Sequence, residues 1–483
     1  MPIVRTALTW YYRSIAVAGK SRVPISGPVF LAVNHPNALV DALVVAAVMP
    51  RRVHFTAKAT IFANPVMAAF LRAGGAIPLK RAADEAKKAI AEAGSNSFNT
   101  KENSAHEIGA SAPNANGKQV IDPARNSESF RAVSDALAQG NAIVVFPEGK
   151  SHDDPHLAPL RTGLARMALL ARDTFHVSGI KIIPVGLLFE QKEAPRSRIL
   201  IQIGEAIDVD SMPSGDHAVE SLMSLVSERL NAVTLNFESK EDAASIARVS
   251  ETLAALIEPT IEIKDGGPPL SSILALSRRT DRVRQTLSGE VPSELRERAS
   301  NFQTRLDAFR AQLAREQVDA TDLYIEVDTT PGVRFAIRES LLAAILLPVS
   351  WWGRITHFIP IRIARTLALR DAKNRDEPAM NTLVIGVVLV LLTYAVLTSV
   401  VAFLFGIWWA LLFFLTLIPS ASSDLRYGDR AARLRKRIHA YLTFRKRPEL
   451  RTELLGEADW LRREAGMIEQ LASGISRVAP RTT

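Results

Sequence analysis

The sequence predicts an α/β domain followed by a helical region and a membrane hairpin. Over residues 20–235, short apolar segments alternate with segments of helical periodicity, which is typical of α/β folds. One of these segments, 142–146, is apolar throughout, as in a strand that is covered on both faces of its sheet. Residues 382–423 then contain no charged side chain, which indicates a membrane region.

Apolar runs and turn residues predict the individual elements of the domain at residues 1–235. The strands are predicted at 29–33, 53–56, 76–79, 142–146, 180–184 and 199–203. The helices are predicted at 65–73, 128–139, 163–173 and 217–230. An N-terminal helix within residues 1–20 either lies on a membrane surface or packs on the domain. Residues from about 84 to 127 are polar and poor in large apolar side chains, so we interpret them as a surface insertion.

Two polar regions flank the predicted membrane region. Residues 236–335 are predicted as a helical linker or subdomain. A heptad-like seam of apolar residues between 295 and 313 predicts packing against the same chain rather than dimerisation, because it spans under three heptads. Residues 426–483 are predicted as a basic cytoplasmic tail in contact with anionic lipid.

The membrane region is predicted at residues 336–425. An apolar stretch at about 341–352 is too short to span a bilayer, which favours an interfacial or re-entrant helix. The stretch at about 382–418 has the length of two short spans, with a turn near Gly406, and is predicted as a transmembrane hairpin. Arginine and lysine flank both ends of the hairpin, so both ends are expected on the cytoplasmic side.

The composition excludes several kinds of chemistry. The chain contains no cysteine, which excludes disulfides, thiol nucleophiles and cysteine-based metal sites. Its formal net charge of +9 favours an anionic partner, such as a phosphorylated substrate, anionic lipid or nucleic acid. We expect no nucleic-acid partner, because the membrane hairpin accounts for the basic flanks and no motif of basic and aromatic residues supports such binding.

The segment 34–41 contains the strongest candidate for a catalytic group. His35 follows the predicted strand at 29–33 and precedes a turn at Pro36. A neutral imidazole accepts a proton near pH 7, and a nearby carboxylate such as that of Asp41 fixes its tautomer. The simpler alternative is a histidine that caps the turn, beside an aspartate that caps the following helix.

Four blocks, in this order along the chain, resemble the glycerolipid acyltransferase family, which transfers fatty acyl chains to glycerol phosphates and lysophospholipids. The blocks are Asn34-His35-Pro36-Asn37-Ala38-Leu39-Val40-Asp41, Gly75-Ala76-Ile77-Pro78-Leu79-Lys80-Arg81, Phe146-Pro147-Glu148-Gly149-Lys150-Ser151-His152 and Ile182-Ile183-Pro184-Val185-Gly186. The resemblance covers about residues 10–235 and is nearest to the branch of fungal glycerol-3-phosphate and dihydroxyacetone phosphate acyltransferases and their bacterial relatives. It implies an α/β sheet of the glycerolipid acyltransferase type, flanked by helices.

The resemblance implies that His35 is the general base and Asp41 its orienting carboxylate. The expected acceptor is glycerol-3-phosphate, or dihydroxyacetone phosphate, whose hydroxyl attacks a fatty acyl thioester. Lysophosphatidate is the alternative acceptor, and a lipid-binding scaffold without enzymatic activity is the alternative function. The family usually places four residues between the histidine and the aspartate, whereas this chain has five. The turn must absorb the extra residue, since one residue rotates a helical side chain by about 100°.

The other implied site residues bind substrate. The predicted set is Lys58, Lys80, Arg81, Glu148, Gly149, Lys150, Ser151, His152 and Arg161. Many relatives carry an arginine two positions after the glycine of the third block. Ser151 occupies that position here, so Lys150 and Arg161 are the candidate replacements for phosphate binding. No cofactor and no metal are expected, because a thioester is already activated. The expected partners are the glycerol phosphate acceptor, acyl-CoA or acyl carrier protein as donor, and membrane lipid.

Overall fold

A mixed β-sheet forms the centre of the N-terminal domain. The computed structural model describes residues 2–59, 62, 68, 72, 75–79, 127–258, 267–325, 329–371 and 377–478. In this part of the chain the sheet has eight strands: β1 (Ser14–Ala18), β2 (Val29–Val33), β3 (Val53–Lys58), β4 (Ala76–Leu79), β5 (Ala142–Val145), β6 (Lys181–Phe189), β7 (Arg198–Ile203) and β8 (Ile207–Asp208). Their order is β1-β7-β6-β2-β5-β3-β4, and β8 pairs with β6.

Helices cover both faces of this sheet. The helices of the domain are α1 (Pro2–Tyr11), α2 (Ala38–Val48), α3 (Ser127–Ala138), α4 (Gly163–Asp173) and α5 (Ala218–Asn231). Side chains of β2 alternate between the two faces: Leu31 packs in the cluster with α1 and α2, whereas Phe30 packs in the cluster with α3, α4 and α5. Both clusters are fully buried, which explains why the central strands are apolar throughout. The predicted α/β fold is confirmed.

The six predicted strands all form: β2 and β4 have the predicted bounds, as does α4, and the ends of the other four strands are shifted. Two strands were not predicted. Residues 14–18 form an edge strand that is only partly buried, and β8 has only two residues, so neither gives a long apolar signal. The N-terminal helix packs on the domain through Leu8 and Tyr11. The helix predicted at 65–73 lies outside the described residues except for positions 68 and 72, and the insertion predicted at 84–127 lies outside them except for Ser127.

A second, helical core follows the sheet domain. It contains α6 (Lys240–Ile257), α7 (Leu270–Leu287), α8 (Ser293–Glu316) and the last helix, α12 (Pro448–Val478). The apolar seam of α8 is buried and packs against α12, with Phe302, Leu306 and Phe309 in one cluster with Leu454 and Leu461. The seam therefore packs against the same chain, as predicted. Much of the predicted tail, 426–483, belongs to this core together with the predicted linker.

Three long helices lie between α8 and α12 in the chain: α9 (Thr329–Asp371), α10 (Glu377–Phe405) and α11 (Ile407–Lys446). The chain turns between α10 and α11 at Gly406, whose φ of 89° favours glycine. Residues 381–405 and the helix 407–446 are long and apolar enough to cross a membrane. Their most apolar parts are only 11% and 22% buried, unlike the core helix of a soluble protein, so these two helices are candidate membrane spans.

The stretch at 341–352, predicted as a short interfacial helix, forms an internal part of the 43-residue helix α9. Helix α9 packs against both helices of the hairpin. Gly353 allows a close approach, because a Cβ atom there would overlap the carbonyl oxygen of Ser420. The length of the helix is not visible in the hydropathy pattern, because charged residues such as Arg354 and Arg362 interrupt the apolar stretch.

Candidate active site

The site lies where two neighbouring parallel strands end. Strands β2 and β5 pair in parallel, with Ala32 opposite Val145, so the residues that follow them meet at one edge of the sheet. His35 follows β2, and Glu148 follows β5. The carboxyl ends of parallel strands are the usual place for ligand sites in α/β proteins. The topology therefore brings the first and third sequence blocks together.

His35 and Asp41 are in contact as predicted. The Nδ1 atom of His35 lies 2.9 Å from Oδ2 of Asp41. The same carboxylate oxygen accepts a hydrogen bond of 2.7 Å from the backbone N–H of Asn37. Since an ionised carboxylate only accepts hydrogen bonds, it selects the imidazole tautomer with a proton on Nδ1 and leaves Nε2 free to accept a proton. The geometry is that of a general base with an orienting carboxylate.

The extra residue between His35 and Asp41 is absorbed in the turn before α2. Asn37 has φ and ψ values of −142° and 48°, and Ala38 has a φ of 45°, in the left-handed region that side chains other than glycine seldom occupy. The helix then begins, with Asp41 in its first turn. The strained turn rather than the helix takes up the additional residue, so Asp41 still faces the histidine.

Asp41 is completely buried. Burial raises the pKa of its carboxyl group, while the hydrogen bond from His35, the positive charge that His35 gains on protonation, the Asn37 N–H and the charge of Lys192 oppose this effect. A buried carboxylate interacts strongly with a proton on the adjacent imidazole, because solvent screens the pair weakly. This arrangement stabilises an imidazolium as it forms.

Glu148 holds in place the candidate catalytic turn, which is the turn at residues 34–37 between β2 and α2. Its Oε1 accepts a 2.8 Å hydrogen bond from the backbone N–H of His35, and its Oε2 accepts one of 2.8 Å from the backbone N–H of Ala158. His152 Nε2 also binds Oε2. With 2% of its surface exposed, Glu148 connects the turn to the loop after β5 and orients His35. Its predicted contact with substrate stays a prediction.

The predicted phosphate-binding cations lie on the loop after β5. Gly149 has a φ of 75°, and a Cβ atom there would lie 3.4 Å from Cγ of Arg161. The loop returns to its start, because the backbone N–H of Arg161 donates to the carbonyl of Pro147 at 2.7 Å. Arg161 thus lies beside Gly149, and Lys150 is the next residue; both cations are exposed. Ser151 is half-buried on the same loop.

A cavity of about 320 Å³ opens beside His35. The imidazole ring stacks on Phe146, with ring centroids 4.0 Å apart, and its side chain is 18% exposed. The cavity is lined by His35, Glu148, His152, Leu187, Phe189, Lys192 and Asn236, among others. The lining combines polar groups with apolar side chains, which suits a ligand with a polar head and a hydrocarbon part.

Lys192 is a member of the site that sequence reasoning missed. Its ammonium group donates to the carbonyl of Pro36 at 3.1 Å and to that of His152 at 3.4 Å, so it joins the first and third blocks. It also forms an ion pair of 2.5 Å with Asp153. Burial alone would raise the pKa of Asp153, but the hydrogen bonds and charges of Lys192 and Lys240 outweigh it and lower the pKa. Lys192 lies in a charged loop after β6, and no local pattern distinguishes it.

Three predicted residues lie at the limit of the described chain. Lys58 ends β3, but its side chain is outside the described part, and Lys80 and Arg81 lie outside the described residues altogether. Among the residues that are described, no three metal-ligating side chains are grouped as a metal site. His152 and Asp153 instead bind Glu148 and lysines. The expectation of a reaction without cofactor or metal stays a prediction.

Comparisons with known proteins show that the sheet domain is similar to acyltransferases. Residues 14–188 match a family model described as acyltransferase. An uncharacterized acyltransferase of Schizosaccharomyces pombe is 23% identical over 290 residues, 48% of this chain and 43% of that protein. Glycerol-3-phosphate O-acyltransferase 2 of Saccharomyces cerevisiae is 31% identical over 188 residues, 38% of this chain and 24% of that protein. The chain thus spans less than half the length of either relative.

A solved structure is also similar. The match to the crystal structure of the 1-acyl-sn-glycerophosphate acyltransferase of Thermotoga maritima covers 47% of this chain and 76% of that protein's chain, with a TM-score of 0.32 and 15% sequence identity.

Proposed function

We propose that this chain, whose residues 14–188 form a domain of the acyltransferase family, transfers a fatty acyl chain from a thioester to the hydroxyl of glycerol-3-phosphate or dihydroxyacetone phosphate. The observation that carries the proposal is the 2.9 Å contact of His35 with the buried Asp41 at the mouth of a cavity. The motifs of the first and third blocks and the similarity to a yeast glycerol-3-phosphate O-acyltransferase support the choice of acceptor.

The proposed reaction is a direct transfer. Nε2 of His35 removes the proton from the acceptor hydroxyl, whose oxygen attacks the thioester carbonyl carbon. Asp41 stabilises the imidazolium, which then gives its proton to the departing thiolate, so that the C–S bond breaks as free CoA or acyl carrier protein leaves. The chain has no cysteine, and no serine lies in a nucleophile-elbow motif, so a covalent acyl-enzyme is not favoured.

The acceptor phosphate requires cations near the site. Lys150 and Arg161 lie on one loop at the end of β5, beside the strand that leads to His35, which supports their proposed role. Lys80, Arg81 and Lys58 are proposed as further contacts on the motif alone. Lysophosphatidate, which carries the same phosphate head, is the second candidate acceptor.

The protein carries two candidate membrane-spanning helices, and we propose that the catalytic domain faces the cytoplasm. Basic residues flank both ends of the hairpin, and α12 packs in one core with α6 and α8, which supports a location of the regions before and after the hairpin on the same side. Because the chain has no cysteine, single cysteines can test this. In sealed right-side-out vesicles, a cysteine introduced at the exposed Ser288 is expected not to react with an impermeant maleimide. Labelling would show that the orientation is opposite to the one proposed.

The central experiment compares the wild type with His35→Ala. Purified protein in detergent is assayed with acyl-CoA, or acyl carrier protein thioester, and separately with glycerol-3-phosphate, dihydroxyacetone phosphate and lysophosphatidate. We expect turnover of a glycerol phosphate and a loss of about 10²-fold or more in the variant, as for removal of a general base. His217→Ala, at a side chain that is 89% exposed, is the control that should retain full activity.

Each outcome separates the candidates. Turnover of lysophosphatidate alone would replace the proposed acceptor with the second candidate. Equal rates for the wild type and His35→Ala would refute His35 as the base. A wild type that is inactive with every donor and acceptor would favour the lipid-binding scaffold.

A further inference from the structure

A hydrogen-bonded path connects α11 to the catalytic turn. Asp429 lies on α11 beyond the apolar stretch, and its carboxylate binds the guanidinium of Arg196 through Nε, 3.1 Å from Oδ2, and through Nη2. The two side chains are only 13% and 19% exposed. An arginine–carboxylate pair bound through two nitrogens is both strong and directional. The position of Arg196 therefore depends on α11.

Arg196 in turn holds the end of α1. Its Nη1 donates to the carbonyls of Thr9 at 3.0 Å, Trp10 at 3.1 Å and Tyr12 at 3.3 Å. The last carbonyls of a helix lack partners within the helix, so a guanidinium there satisfies several of them at once. Arg196 itself has a φ of 64°, a conformation that is uncommon for residues other than glycine.

Tyr12 connects the end of α1 to the catalytic turn. Its hydroxyl accepts a 3.3 Å hydrogen bond from Nδ2 of Asn37, whose backbone N–H donates to Asp41. Tyr12 is 1% exposed and Asn37 is fully buried, so water does not replace these contacts readily. The path from α11 thus ends on the carboxylate that orients His35.

A separate contact keeps α1 against the membrane helices. Nε1 of Trp10 donates to Oγ of Ser422 at 2.9 Å, and the Trp10 ring packs edge-on against His357 of α9, with centroids 5.5 Å apart. These contacts do not involve Asp429. A change at Asp429 therefore removes the constraint on Arg196 without detaching the catalytic domain from the helices.

We propose that Asp429 is a positioning residue for His35 and Asp41, acting through Arg196, Tyr12 and Asn37. The catalytic turn then takes its active geometry when α11 is docked on the sheet domain. This inference rests on the proposed function of the same site, and it adds a dependence on a helix that is distant in sequence.

The test uses the full chain in detergent with acyl-CoA and glycerol-3-phosphate. Asp429→Asn keeps the size of the side chain but removes its charge. We expect kcat to fall by about tenfold, with the KM for the acceptor within about twofold of the wild type, because a small displacement of a catalytic group reduces rate rather than binding. Asp429→Glu should restore most of kcat. Glu316→Gln, which removes the charge of a carboxylate that pairs with Arg447 directly after α11, is the matched control and should keep the wild-type kcat.

A second measurement does not require turnover. Hydrogen exchange, followed by mass spectrometry of the peptide around residues 34–41, reports on the N–H of Asn37. Exchange should be faster in Asp429→Asn and in Tyr12→Phe, which removes only one hydroxyl, and unchanged in Glu316→Gln. Unchanged exchange in both Asp429→Asn and Tyr12→Phe, or a kcat within twofold of the wild type in Asp429→Asn, would overturn the inference. An inactive wild type with faster exchange in both variants would instead refute the proposed function and support the connection.

Discussion

Replacing Asp41 by asparagine should separate activity from stability. Asparagine has the same shape, and its carbonyl oxygen can still accept the hydrogen bond from Asn37. It cannot stabilise an imidazolium on His35, and its amide group favours the wrong tautomer. In a histidine–aspartate pair such a change lowers kcat by up to about 10⁴-fold, which corresponds to about 5.4 kcal/mol of transition-state stabilisation.

The effect on stability should be small because two contributions oppose each other. Two hydrogen bonds to a carboxylate, each of about 1.5–3 kcal/mol, become neutral ones of about 0.5–1.5 kcal/mol. The substitution also removes the cost of burying a charge, which is several kcal/mol for one ion. We therefore expect the free energy of unfolding to stay within about 2 kcal/mol of the wild type, as measured by denaturant titration in one detergent.

The pH dependence gives the sign of the charge effect. Burial raises the pKa of Asp41 in the folded state. A carboxyl group whose pKa is raised by folding stabilises the folded state below its unfolded pKa of about 3.9. This stabilisation is lost as the pH rises through the pKa of the folded state. The stability of Asp41→Asn relative to the wild type should thus improve from pH 4 to pH 8. A kcat within tenfold of the wild type, or a relative stability that declines over this range, would refute the reasoning.

Three further substitutions test the contacts that support the site and the packing of the membrane helices. Lys192→Met removes an ammonium group that is 16% exposed and donates to the carbonyl of Pro36. The free energy of unfolding should therefore fall by about 1.5–3 kcal/mol, and kcat should fall with it. Equal stability of the variant and the wild type would show that the contact is dispensable. Gly353→Ala should lower the thermal midpoint in detergent, since its Cβ would overlap the carbonyl of Ser420. Gly386→Ala has its nearest neighbour at 3.8 Å and should raise the midpoint, because alanine favours a helix over glycine by about 0.5–1 kcal/mol. Shifts of the same sign would contradict the role of close packing at Gly353.

Much of the site could be predicted because its residues are adjacent in sequence to buried strands. His35 and Glu148 each follow an apolar strand, and parallel pairing of two such strands brings their ends together. The pairing of His35 with Asp41 was predictable as a hypothesis, but five intervening residues left the orientation of the carboxylate open. Only the left-handed Ala38 shows how the turn accommodates the extra residue.

The supporting residues could not be predicted, because their partners are far away in sequence. Lys192 contacts carbonyl groups of two separate loops, and a carbonyl contact leaves no trace in side-chain patterns. Arg196 and Asp429 are separated by more than two hundred residues, and each looks like an ordinary surface charge in its own segment.

The sequence by itself determined the α/β class, the positions of the main strands along the chain, the histidine–aspartate pair and the turn of the hairpin at Gly406, since each depends on local periodicity or on a short motif. The tertiary structure decided which distant segments share a core. It places α12 with α8 and joins residues 341–352 into one helix beside the hairpin. It also decided that Glu148 orients His35, because the burial of a carboxylate and its hydrogen-bond partners depend on the surrounding fold and not on the neighbouring residues.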